Sequence, residues 1–141
     1  MTKDEFAKLH EIHVKCWMEI YRDDLQEKPE GMKVFKDACV ACDISAQAAG
    51  DGEYYCCYCP ADEWRKEAEE LRDNEMKVPP ICESGSAKVA HFGRWAGFRQ
   101  RHDIPRRDFA LKIARMHWSY LPEYEGIEVQ SKWLLVGKEE V

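Results

Sequence analysis

Seven cysteines in 141 residues, six of them between positions 39 and 82, constrain this chain more than any other feature. Four of the six form two C-x-x-C pairs, Cys39-Val-Ala-Cys42 and Cys56-Cys-Tyr-Cys59, separated by 13 residues. Two intervening residues let both thiolates of a pair reach one ion at about 2.3 Å while the backbone turns around it, and two pairs complete a tetrahedron. The middle spacing is slightly short of the usual zinc template. The pattern predicts a structural Zn²⁺ held by Cys39, Cys42, Cys56 and Cys59, closed to substrate and contributing folding free energy instead of catalysis.

Two other cysteines compete for the place of Cys56. Cys57 is adjacent, but paired with Cys59 it has a poorer bite on one ion. Cys82 depends on the length of the helix before it. A helix from Pro60 to Met76 is about 25 Å long, and six residues back to Cys82 span at most about 20 Å. Cys82 therefore reaches the site only if that helix is shorter than its sequence indicates. Cys59 is expected at the helix N-cap, where the dipole favours a thiolate. Buried reduced cysteines and an iron–sulfur cluster are the competing readings. The polar, turn-rich surroundings of the pairs argue against the first. A redox C-x-x-C pair calls for a βαβ setting that is absent.

No apolar run approaches the roughly 20 residues that cross a bilayer, and Met1-Thr2-Lys3-Asp4-Glu5 is charged where a signal peptide is apolar. With an odd, clustered cysteine count, this favours metal over a disulfide framework. The chain is expected to be cytoplasmic, with no membrane partner.

The length suits one domain, residues 1–141, with a modest core that a metal staple would help. Thr2-Lys3-Asp4-Glu5 fits a capping box. Phe6, Leu9, His13, Cys16, Trp17 and Ile20 then follow helical spacing to about Leu25. Pro29 and Gly31 break the chain, and Met32 to Ala38 can form a short helix. Residues 43–55, with Gly50-Asp51-Gly52, read as an irregular loop or hairpin. Pro60 opens a helix to about Met76, which Pro79-Pro80 ends. A fourth helix is expected from Ser86 to about His102, and a fifth from Asp103–Pro105 to Tyr120. Glu128 to Val136 alternates like a strand. The fold class is thus mainly α with a small β element (α+β), its helices arranged around the zinc site.

The net charge of −6 is unevenly spread. Residues 1–31 carry eight acids against five bases, and residues 62–77 seven against four. Arg94, Arg99, Arg101, Arg106, Arg107, Lys112 and Arg115 face only Asp103 and Asp108 within residues 94–117. Such a strip binds a polyanion or pairs with the protein's own acids. His10 and His13 lack a companion carboxylate–histidine set and are core or boundary residues. His91, His102 and His117 lack the partners of a metal-dependent nuclease motif. With no glycine-rich phosphate loop, nucleophile elbow or kinase signature, the sequence supports no catalytic residues.

Leu9-His10 followed by Trp17, Cys39-x-x-Cys42, Cys56-x-x-Cys59-Pro60 with Trp64, Cys82 with Trp95, and Ala110-Leu-Lys-Ile-Ala-Arg115 occur in this order. The arrangement resembles small cysteine-rich accessory proteins of phages and prophages of Gram-positive bacteria. It departs from them in the extra Cys57, in two more residues between Pro60 and Trp64, and in the C-terminal segment; their pattern includes a cysteine at the Cys82 position. The resemblance implies a non-enzymatic inhibitor of host defence, an anti-CRISPR protein binding a Cas nuclease of the Cas9 type. Acidic surfaces would be steered to the basic channels of such an effector. The alternative is a nucleic-acid-binding zinc protein using residues 94–115.

Overall fold

The computed structural model describes residues 1–29, 32–33, 35, 39–50, 55–86, 88–97 and 104–134. The first helix, α1 (Lys3–Asp23), begins as its sequence dictates. The Thr2 hydroxyl accepts from the Glu5 amide at 3.1 Å, and the Glu5 carboxylate accepts from the Thr2 amide at 2.8 Å. This satisfies two of the amides that a helix start leaves free. Phe6, Leu9, Ile12, His13, Cys16, Trp17 and Ile20 form one buried stripe, and Asp24, in the left-handed region at φ 49°, closes the helix.

Six shorter helices follow: α2 (Val40–Ala49), α3 (Asp62–Asp73), α4 (Ile81–Ser84), α5 (His91–Ala96), α6 (Arg106–Ala114) and α7 (Ser131–Leu134). Among the described residues, 3₁₀ turns span Tyr55–Tyr58 and Pro122–Gly126. α6 packs on α1 and α5, α4 packs on α5, and the Tyr55–Tyr58 turn bridges α2 and α3. The Trp17 ring stands edge-on to Trp95 (5.1 Å) and Phe92 (6.0 Å), locking α5 onto α1. Edge-to-face contacts of this kind add specificity to the area they bury.

The structure is mainly helical, as the periodicity indicates, but four boundaries differ from the sequence reading. Residues 43–49 are helix, not loop, and α2 stops at Gly50, whose φ of 59° suits glycine. Asp43 and Ser45, which make the segment look exposed, are buried. α3 ends at Asp73 and not near Met76. The Met76 amide bonds the Leu71 carbonyl at 2.9 Å and the Glu75 amide that of Arg72 at 2.9 Å. With Glu75 at φ 58° this is a Schellman motif without the usual glycine. α5 begins at His91, after a turn through Ser86. α6 ends at Ala114 because the chain beyond it pairs with the entrance to α3. The Asp62 amide bonds the His117 carbonyl at 3.0 Å and the Ser119 amide that of Pro60 at 2.9 Å, making an isolated antiparallel bridge between Ala61 and Trp118.

The expected strand at 128–136 is also corrected over its described part. Ser131–Leu134 is a helical turn closed by the Trp133 amide on the Gln130 carbonyl, with Trp133 buried against Phe35. Among the described residues there is no strand ladder for an alternating segment to join, so its amides are satisfied locally. Residues 135–136, most of the expected helix at 32–38, and 98–103 lie outside the described residues. No described helix is long and apolar enough to cross a membrane.

His13 is fully buried on α1, its Nε2–H donating to the Ile113 carbonyl of α6 at 3.1 Å. Burial pushes its pKa down to about 3, from an ordinary value near 6.5. The unfolded chain therefore binds a proton through that window that the folded chain refuses. Stability is full above pH 6.5 and falls as the pH drops toward 3, by up to about 1.4 kcal/mol per pH unit for this residue. Burial lowers His10 and His91 as well, with the same sign. We predict that His13→Gln, which keeps a donor for Ile113, flattens the pH dependence of urea unfolding between pH 6.5 and 4 by roughly one proton.

Candidate metal centre

The fold brings together cysteines from separate parts of the chain. Cys39 is the N-cap residue of α2 and Cys42 lies in its first turn. Cys56 and Cys57 belong to the Tyr55–Tyr58 turn, Cys59 follows it, and Cys82 sits on α4. The Cys39 and Cys42 sulfurs are 3.9 Å apart, and those of Cys42 and Cys82 are 3.7 Å apart although 40 residues separate them. These are free thiols, far from the 2.05 Å of a disulfide.

Cys82 arrives because α3 is short. Twelve residues make about 18 Å of helix, and the nine residues from Asp73 to Cys82 can span about 30 Å. The Schellman turn at Asn74–Met76 starts the return, and Pro79-Pro80 delivers the chain to α4. α4 is then seated on α5 by a close approach: a Cβ on Gly93 would fall well under 3 Å from the Glu83 carbonyl oxygen.

Cys39, Cys59 and Cys82 are buried, while Cys42 and Cys56 are half-buried. Cys59 interacts electrostatically with Cys39, Cys42, Cys82 and Cys56. Cys56 also feels Cys57 and Glu83, and Cys57 feels Arg72, Glu69 and Asp73 along α3. Cys16, on the α1 stripe, is buried in the core. The expected helix-capping role of Cys59 falls to Ala61, so Cys59 stands two residues before the N-cap.

Without a cation the cluster holds its protons. The hydrogen bond to Cys42 and burial push the Cys39 thiol well above its ordinary range, and burial pushes Cys56 and Cys59 up. The amides of Ala41 and Cys42 act on Cys39 in the opposite sense, as does the Ala61 amide on Cys59. Those amides would favour thiolates once a cation offset the mutual repulsion.

A tetrahedral ion with sulfur bonds of about 2.3 Å holds its ligands roughly 3.8 Å apart. The two short sulfur separations match that edge. They share Cys42, however, and among the described residues no three His, Cys, Asp or Glu side chains form a ready-made metal-holding group.

Of the predicted ligands, Cys39 and Cys42 form one contact pair, and Cys59 and Cys56 stand within electrostatic reach of them. Cys82, the competitor for the place of Cys56, lies with its sulfur 3.7 Å from that of Cys42. The histidines stand elsewhere. His117 Nδ1 lies 2.6 Å from Asp62, and His91 Nε2 lies 3.2 Å from Glu63. Burial raises the Asp62 pKa, but hydrogen bonds from Ser119, His117 and Arg65 outweigh it and bring Asp62 down to about 2. These pairs span 55 and 28 residues of chain, and no local motif announces them. His102 is outside the described residues.

No family model, curated protein or solved structure matches the chain.

The seat of α4 gives a test that does not touch a cysteine. Gly93→Ala must push α4 away from α5, and we predict a loss of about 1–3 kcal/mol in chemical unfolding, with greater alkylation of Cys82 in the folded protein. Ala96→Gly on the same helix should not increase that alkylation.

Proposed function

We propose that this chain is a non-catalytic interaction protein stapled by a structural Zn²⁺ ion. The observation that supports it most is that the Cys42 sulfur, on α2, lies within a tetrahedral edge of two others, Cys39 at 3.9 Å and Cys82 of α4 at 3.7 Å. For the fourth ligand the structure favours Cys59 over Cys56. Cys59 is the more buried, and its interactions run to all three of the others. Four thiolates close the coordination sphere, so the ion's work is to hold α2, the Tyr55–Tyr58 turn and α4 together.

The partner we propose is a basic nucleic-acid-binding effector, with the Cas nuclease implied by the motif resemblance as the first candidate. Supporting it is the acidic outer surface of α3 and its exit. Glu70, Asp73 and Glu75 are exposed there, with Arg72 drawn onto Asp73 at 3.3 Å. α1 offers less, because its exposed acids alternate with Lys3, Lys8, Lys15 and Arg22.

The alternative, nucleic-acid binding by the 94–115 strip, is weakened at three of its arginines. Arg106 donates to the Trp95 carbonyl at 2.7 Å and to Gln26. Arg107 lies over the Tyr21 ring and Arg94 over Phe109. Arg99 and Arg101 lie outside the described residues.

Protein purified without chelator should carry one zinc per chain by elemental analysis. Cys39→Ser, Cys42→Ser, Cys59→Ser and Cys82→Ser should each lose it and unfold more readily, whereas Cys57→Ser should keep both metal and stability. Metal-free wild-type protein with unchanged stability would overturn the zinc reading. Glu70→Lys with Asp73→Lys should weaken capture of a Cas nuclease in a salt-dependent way. Failure of the wild-type protein to bind any such nuclease at low salt would overturn the partner reading.

A further inference from the structure

A second feature stands apart from the cysteines, and it goes beyond the proposed function. A basin of about 870 Å³ lies between the start of α3, the approach to α5 and the end of α6. Lys66 enters it from α3, Lys88 from the turn before α5, and Lys112 and Arg115 from the end of α6. All four are exposed, and none is paired with a carboxylate among the described residues. The carboxylates in the basin are engaged elsewhere: Asp62 by Arg65 at 2.6 Å and His117 at 2.6 Å, Glu63 by His91 at 3.2 Å.

Four exposed cations converge on one surface of a chain whose net charge is −6, concentrating positive potential there. The helix dipole accounts for half of them at most. Lys112 and Arg115 stand at the C-terminal end of α6, where cations are favoured. Lys66 is in the middle of α3 and Lys88 is in a turn, so neither gains from a helix end. Lys112 is also held 5.3 Å over the Phe109 ring, which limits its wandering.

We propose that this basin binds the phosphodiester backbone of a nucleic acid. Four cations from three elements, spread over a basin larger than one phosphate, suit a row of phosphates better than a single anion. Among the described residues no Trp, Tyr or Phe lines the basin, so they offer no aromatic platform on which a base could stack. Recognition is therefore of backbone charge, without sequence preference. His117 is 81% exposed, and its Nδ1 rests on Asp62. With Nδ1–H donating to the Asp62 carboxylate, Nε2 is an acceptor in the neutral ring and donates to a phosphate oxygen only in the imidazolium form.

The test is fluorescence anisotropy of a labelled single-stranded oligonucleotide titrated with the full chain at low ionic strength. Binding should weaken with salt, the logarithmic slope changing by about 0.7 for each phosphate neutralised. Lys66→Ala with Lys112→Ala should weaken binding about tenfold or more and lower the slope by about 1.4. Lys8→Ala with Lys77→Ala removes the same charge elsewhere and should leave both unchanged. All these side chains are exposed, and circular dichroism confirms that each variant is folded. No binding by the wild-type chain overturns the proposal. So does equal binding by the two double variants, or equal competition by polyglutamate of matched charge. Zinc content is read separately on the same samples, so failure here and failure of the metal reading are distinguishable.

Discussion

The contact between the Cys42 and Cys82 sulfurs is the closure on which the rest of the arrangement hangs. It fixes α4 against the start of α2, and α4 in turn lies against α5 at Gly93, where only hydrogen fits beside the Glu83 carbonyl. α5 presents Phe92 and Trp95 to Trp17 on α1, and α6 lies across both. The sulfur cluster and the aromatic core are thus two ends of one packed series. A modest core would gain from the proposed ion at this closure, because the free energy of its binding adds to that of folding.

What makes the closure reachable is the early end of α3. Its composition favours continuing to Met76, and nothing at Glu75 announces a stop, since the left-handed position of a Schellman motif usually carries glycine. The helix ends because the return to α4 requires it, at the cost of placing Glu75 at φ 58°. Tertiary demand overrides local preference here, and the choice between Cys56 and Cys82 turns on it. The α1 helix was legible in full from its capping box and stripe, because every signal in it is local. The cysteine pairs were legible as a cluster for the same reason.

The errors share one origin. Residues 43–49 read as loop because Gly50-Asp51-Gly52 signals a turn, yet the helix runs up to Gly50 and even its polar Asp43 and Ser45 are buried. The segment from Gln130 to Trp133 alternates like a strand, but alternation has meaning only beside a neighbouring strand. The histidine–carboxylate pairs at Asp62 and Glu63 arise because the chain after α6 is drawn back to the entrance of α3 by the bridge at Ala61 and Trp118. No periodicity within either segment encodes that encounter.

Charge follows the same division between local and assembled information. The basic strip at 94–115 looks continuous in sequence, but folding splits it. Arg94, Arg106 and Arg107 turn toward rings and carbonyls of neighbouring elements, where a guanidinium contributes packing as well as charge. Lys112 and Arg115 are left over, and they meet Lys66 and Lys88, which in sequence belong to an acidic stretch and to a turn. The lysine on the acidic helix therefore contributes more to this basin than Arg94, Arg106 and Arg107 of the basic strip. A chain with net charge −6 can thus present a cationic basin beside the acidic exit of α3. At physiological ionic strength charges interact over about 8 Å, and Lys66 stands one helical turn from Glu70 on α3, so the two surfaces adjoin along that helix and the net charge predicts neither.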